Sequence, residues 1–169
     1  MYSYTFDKIT GGIILNSTPT NFSKEPRPVY AAELDILKFD RYWAYDKQND
    51  IPYMWAESCN YWYRGTQIAK IKGGDLYNSP ELQPVLDDND NALFGSATGN
   101  RLEPIDIQTM CELNADLLAI VEDSTVKKII KEYEKFKKKL DIFHVAFSGG
   151  KDSAVLLDLV KKALPIGSF

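Results

Sequence analysis

Metal-ligating and redox-active side chains are scarce in this chain of 169 residues. It holds one histidine, His144, and two cysteines, Cys59 and Cys111, that do not stand in a CxxC spacing. Such an inventory cannot assemble a four-ligand zinc site within one chain. Neither cysteine has a histidine beside it, and both are expected to be small core or surface residues. No apolar run approaches the length that spans a bilayer, so no membrane contact is expected. The opening MYSYTFDKITGG has no basic segment followed by an apolar core, so no secretory leader is expected. A reducing, cytoplasmic setting is the expectation. An excess of one charge is missing as well: 20 Lys and Arg against 24 Asp and Glu leave a net charge of −4. That balance argues against the whole chain acting as a stand-alone nucleic-acid binder. What is present, 44% hydrophobic and 12% aromatic residues, describes a globular chain and not a disordered one. There is no internal repeat.

Along the chain, residues 1–104 form an aromatic-rich α+β N-terminal region, 105–140 a helical connector, and 141–169 the start of a further domain. In the first region Gly12-Ile13-Ile14-Leu15 predicts a short strand after the turn Thr10-Gly11-Gly12. Pro26 and Pro28 fix an extended path, and Ala31 to Phe39 predicts a short helix. NYWYRGTQIAKIKGG, ending at Gly74, predicts two strands around Arg64-Gly65-Thr66. The aromatics of this stretch are expected to fill a small β core, although an aromatic hairpin could instead stack bases or meet a protein partner. Residues 78–104, with Pro80, Pro84 and Pro104, predict an irregular connector. DDNDN at 87–91 lacks the spacing and the later glutamate of a calcium loop, and calcium binding is not expected there.

From 105 to 140, Ile107, Met110, Leu113, Leu117, Leu118 and Val121 recur at helical spacing, as do Val126, Ile129, Ile130, Tyr133, Phe136 and Leu140. Glu122-Asp123-Ser124-Thr125 either divides the run into two helices, with Ser124 as a cap, or is simply exposed. Residues 127–139, KKIIKEYEKFKKK, hold seven lysines and two glutamates. Contact with RNA or a nucleotide is one reading of them. A solvated helix face that complements the C-terminal helix dipole is the preferred one.

The chemistry concentrates in FHVAFSGGKDSAVLLDLV, Phe143 to Val160. Asp141 to Phe147 predicts a buried strand, and Ala154 to Leu164 predicts a helix. Between them stand Ser148, Gly149, Gly150, Lys151, Asp152 and Ser153. Two glycines let the backbone turn sharply and come close to a ligand. A helix N-terminus offers N–H groups and partial positive charge, and hydroxyls flank it on both sides, which together suit an anion. The pattern is not a Walker A loop, because Val145 and Asp152 stand where glycine and Ser or Thr would be required. The plainer alternative is a strand-to-helix turn with Asp152 or Ser153 capping the helix.

SGGKDS after an apolar strand resembles the PP-loop of the N-type ATP pyrophosphatases (adenine nucleotide α-hydrolase-like proteins). FHVAFSGGKDSAVLLDLVKKALP is most similar to the phosphoadenosine phosphosulfate (PAPS) reductase-like group. EPRPVYAAELDIL, WYRGTQIAKIKGGDLY and the basic helix resemble the N-terminal portion of such proteins. The resemblance implies the first βα unit of a doubly wound α/β fold. It also implies a loop that grips the pyrophosphate of ATP or a PAPS-like adenine nucleotide with Mg²⁺. Ser148, Gly149, Gly150 and Ser153 would hold phosphate oxygens, Lys151 would add charge, and Asp152 would order the loop or place Mg²⁺. The backbone of Ala146 and Phe147 would lie near adenine. The usual reaction is attack on the α-phosphate with release of pyrophosphate.

Two departures accompany the resemblance. The cysteine motif of the sulfonucleotide reductases has no counterpart here, and the loop is intact. Both favour adenylyl transfer or phosphoanhydride cleavage over PAPS reduction, with tRNA thiolation as a further alternative. Only one βα unit fits before Phe169, so the chain is expected to be the N-terminal part of a longer protein. It is not expected to be active alone, and its unpaired strand edge would invite a homo-oligomer or a partner subunit.

Overall fold

Prolines stand in both edge strands of the main sheet. In the computed structural model, which describes residues 2–21, 24–74, 76–88, 92–93 and 101–169, five strands form an antiparallel sheet. They are β3 (Arg27–Val29), β4 (Met54–Glu57), β5 (Asn60–Tyr63), β6 (Thr66–Lys72) and β7 (Glu81–Pro84), each hydrogen-bonded to the next in chain order. The edge strands β3 and β7 contain Pro28 and Pro84, and proline at an edge removes a donor that would otherwise recruit another strand. A separate hairpin joins β1 (Tyr4–Phe6) to β2 (Ile13–Leu15). The chain is therefore mixed α and β, and both of its sheets are antiparallel.

The expected hairpin forms at Arg64-Gly65. Both residues have positive φ, 46° and 79°, which is the requirement of a two-residue turn matched to strand twist. One irregularity follows from the register. Tyr61 faces Ala69 while Trp62 faces Gln67, so Ile68 is an extra residue on β6. This bulge puts Ile68 and Ala69, neighbours in sequence, into the same core, which explains the imperfect alternation of this strand.

One sheet face packs on α1 (Ala31–Ile36) and the 3₁₀ turn Phe39–Arg41. Leu34, Phe39, Trp43, Tyr53, Met54 and Ile68 are fully buried there. On the other face lies the β1–β2 hairpin: Phe6 stacks on Trp62 at 5.4 Å, and Trp55 Nε1 donates to the Gly11 carbonyl at 3.0 Å. Both sheet faces are thus covered.

Two expectations are corrected and one open alternative is decided. Residues 78–104 are not wholly irregular. Glu81–Pro84 is a strand because its backbone completes the ladder of β6, with Leu82 opposite Ile71. Residues 89–91 of the acidic run lie outside the described residues. Second, of the two readings of Glu122–Thr125 the exposed one holds: residues 107–136 form one helix, α2 (Ile107–Phe136). Ser124 is exposed within it and no cap is needed. What changes near 122–125 is the position of the apolar stripe, which moves roughly a third to half a turn round the helix between residues 110–121 and 126–136. Asp106 starts α2, accepting from the Thr109 N–H at 3.0 Å.

Third, Asp141–Phe147 is not a buried strand. No ladder joins it to any described residue, and Ile142, His144, Ala146 and Phe147 are exposed. A strand is made by its neighbours, because its hydrogen bonds are all to other segments, and no neighbour is supplied here. The helix α3 (Lys151–Ala163) follows. The chain divides into two compact units, Met1–Asn114 and Ala115–Phe169, with the division inside α2.

Candidate phosphate-binding loop

The turn into α3 depends on one backbone angle. Gly149 has φ +80°, a left-handed conformation that costs an L-residue with a side chain about 1–2 kcal/mol. A Cβ at Gly149 would meet nothing within 4 Å, and one at Gly150 would meet only the Ser148 hydroxyl, at 3.6 Å. Glycine is therefore required at 149 by conformation and not by crowding, and the space above the turn is open.

Gly150 is the N-cap of α3, with extended φ −80° and ψ 164° and no side-chain cap. The first helical bond runs from the Ala154 N–H to the Gly150 carbonyl at 3.1 Å. The plainer alternative, in which Asp152 or Ser153 caps the helix, is not what the chain does. The Ser153 hydroxyl donates to the Gly150 carbonyl at 2.8 Å, and Asp152 pairs with Lys151 at 3.2 Å. The Ser148 and Ser153 hydroxyls lie 3.2 Å apart. The loop thus gathers Ser148, Gly149, Gly150, Lys151, Asp152 and Ser153 at the start of α3, with both hydroxyls on the same side. An uncapped N-terminus carries partial positive charge, and hydroxyls that hydrogen-bond each other can turn to donate to an anion.

Ala146 and Phe147 precede the loop and are exposed. Ala146 lines an open apolar cavity of about 620 Å³ within the second unit, together with Tyr133, Phe143, Val145, Leu156 and Val160. Phe147 is not among its lining residues. Phe143 packs on Tyr133 at 4.9 Å between ring centroids. The cavity was not legible in sequence, because its walls belong to three segments whose apolar residues also read as ordinary core positions.

For a cation the loop offers one carboxylate, Asp152. No group of three or more His, Cys, Asp or Glu that could hold a metal occurs among the described residues. A Mg²⁺ there would have to take its other ligands from phosphate and water, which is how that ion is commonly held. No helix among the described residues is long and apolar enough to cross a membrane.

Elsewhere the structure assembles polar groups that sequence spacing does not connect. Arg27, Glu33 and Tyr61 form one network, with Glu33 accepting from the Tyr61 hydroxyl at 2.6 Å and from Arg27. Burial pushes Glu33 up, but the Arg27 and Tyr61 hydrogen bonds outweigh it and hold the carboxyl below its ordinary value. Burial and the Glu33 contact raise Tyr61. Asn114 is buried, accepting from the Leu15 N–H and donating to the Ile13 and Met110 carbonyls. These are structural ties, remote in sequence from the loop. The aromatics of the hairpin behave as core: Trp55, Tyr61 and Tyr63 are buried, and Trp62 is covered by Phe6. No family model, curated protein or solved structure matches the chain.

Proposed function

We propose that the chain is the N-terminal part of a PAPS reductase-like PP-loop protein, and that Ser148–Ser153 holds the pyrophosphate of ATP or a related adenine nucleotide. The single observation that supports this is the uncapped start of α3: Gly150 as N-cap, Gly149 left-handed with open space above it, and two hydroxyls 3.2 Å apart beside it. In this proposal residues 141–163 are the first βα unit of a doubly wound sheet, and 141–147 pairs only when neighbouring strands are present.

Each residue then has a task. The N–H groups at the start of α3 and the hydroxyls of Ser148 and Ser153 donate to phosphate oxygens. Lys151 would add positive charge beside the phosphates, and Asp152 is the carboxylate that would help hold Mg²⁺. Bound Mg²⁺ supplies charge neutralisation at the phosphates. The reaction class is adenylyl transfer or α/β phosphoanhydride cleavage, in which charge collects on the leaving pyrophosphate. With Trp55, Tyr61 and Tyr63 buried and half-buried Trp62 stacked on Phe6, the hairpin aromatics serve the core, which disfavours the base-stacking alternative.

The experiment is calorimetric titration of ATP and of pyrophosphate, with Mg²⁺, into the chain and into Gly150→Val. Saturable binding by the chain, lost in the variant with an unchanged circular dichroism spectrum, is the expected outcome. Equal heats from both proteins would overturn the assignment.

A further inference from the structure

The lysines of residues 127–139 are not equivalent once folded. Three of them are held by acidic neighbours on the same helix or its end: Lys127 by Asp123 at 2.5 Å, Lys135 by Glu132 at 3.4 Å and Lys137 by Glu134 at 2.6 Å. Four others, Lys128, Lys131, Lys138 and Lys139, are exposed, and none makes an ion pair with a described residue. Lys128 and Lys131 are one turn apart on α2, and Lys135 lies a turn beyond on the same face. Ile129, Tyr133 and Phe136, which line the cavity, centre on a direction roughly 130° round the helix, and Lys128 stands at the border, lining the cavity as well. Lys138 and Lys139 continue the basic stretch in the turn that closes α2.

We propose that this ridge docks on the phosphate backbone of a nucleic acid, without reading its bases. The argument is charge complementarity. Lys128 and Lys131 on α2, with Lys138 and Lys139 in the turn after it, are four cations without an ion pair among the described residues, and the acids three and four residues on, Glu134 and Glu132, are drawn instead to Lys137 and Lys135. The acids of this segment already serve the other three lysines. The aromatic side chains of this stretch, Tyr133 and Phe136, line the cavity, so the ridge presents cations to phosphate and no ring to stack a base. An anionic membrane fits less well: a membrane-surface helix inserts the apolar face that flanks its lysines, and here Tyr133 and Phe136 line the cavity beside Phe143 and Val160. The inference does not rest on the loop at 148–153.

The test is fluorescence anisotropy of the full chain with a 20-nucleotide RNA strand and with a 20-base-pair DNA duplex, over a range of salt. Each neutralised phosphate contributes about −0.9 to the log–log salt slope on duplex and about −0.7 on single strands. A slope of about −3 to −4 on duplex is expected, falling by about 2 in Lys128→Glu/Lys131→Glu, with at least a tenfold loss of affinity at low salt. Lys161→Glu, an exposed lysine on α3, should leave both values nearly unchanged. A flat salt response overturns the proposal. So does equal loss from the Lys161 variant, or binding to phosphatidylserine vesicles that exceeds binding to either nucleic acid. Helicity by circular dichroism separates loss of charge from loss of fold, and Lys128→Gln/Lys131→Gln is the milder variant if the reversal unfolds α2.

Discussion

Single residues carry the junctions of the first unit. A Cβ on Gly12 would meet the Met110 side chain at 2.7–2.9 Å, including its Cβ, which cannot swing away. Gly12→Ala should therefore destabilise the unit by about 1–3 kcal/mol, the usual cost of overpacking, with the loss read from the chemical denaturation midpoint. A few residues away, the Thr10 hydroxyl and amide both donate to Asp7, and the Arg64 guanidinium reaches the Lys8 and Ile9 carbonyls. Glu33 gives a pH signature. Its folded carboxyl sits below the ordinary value, so the network contributes stability at pH above the unfolded carboxylate range. That contribution is lost as pH falls through the lowered folded value. Thermal melts should show Glu33→Gln less stable than wild type at neutral pH, with the two curves converging below about pH 4. A constant gap down to acid would refute this role.

Elements were legible where their cause is local. Arg64-Gly65 announces a hairpin because a two-residue turn needs positive φ and glycine supplies it. The helical period of 105–140 announces α2, yet not its continuity, because a shift of the apolar stripe looks like a break in a linear string. The strand expected at 141–147 shows the limit of such signals. Its apolar alternation is real, with Phe143 and Val145 half-buried between exposed neighbours, but its hydrogen bonds depend on segments elsewhere. Amide hydrogen exchange should accordingly find 141–147 unprotected, within about tenfold of free-chain rates, while amides of β5, the central strand of the sheet, exchange slowest. Strong protection at 143–146 would mean that another segment or another copy pairs with them.

At the scale of the whole molecule the two units differ in how much they bury. Among the described residues, the fully buried large side chains belong to Met1–Asn114, whereas in Ala115–Phe169 only Val160 and Leu164 are buried apolar residues. Stability follows buried apolar area, so the second unit should be the weaker. Limited proteolysis is expected to cut within 137–150 first and to leave a resistant product ending near residue 114. Uniform degradation from both regions at one rate would contradict the division. The loop at 148–153 sits in this weaker unit, and on the proposed function ligand binding would raise its stability by mass action.

By itself the sequence determined what short-range chemistry decides: the scarcity of metal ligands, the hairpin at Arg64-Gly65, the strand at Ile13–Leu15, the helical periods, and a glycine turn with hydroxyls on both sides. Each depends on residues within a few positions of one another. Only the tertiary structure decided which strands pair, that Glu81–Pro84 completes a sheet while Asp141–Phe147 does not, and that Ile68 is a bulge. It also joined Arg27, Glu33 and Tyr61, and separated paired from unpaired lysines on α2. Those outcomes depend on partners that are distant in sequence, or on which face of an element meets another, and neither is written in local pattern.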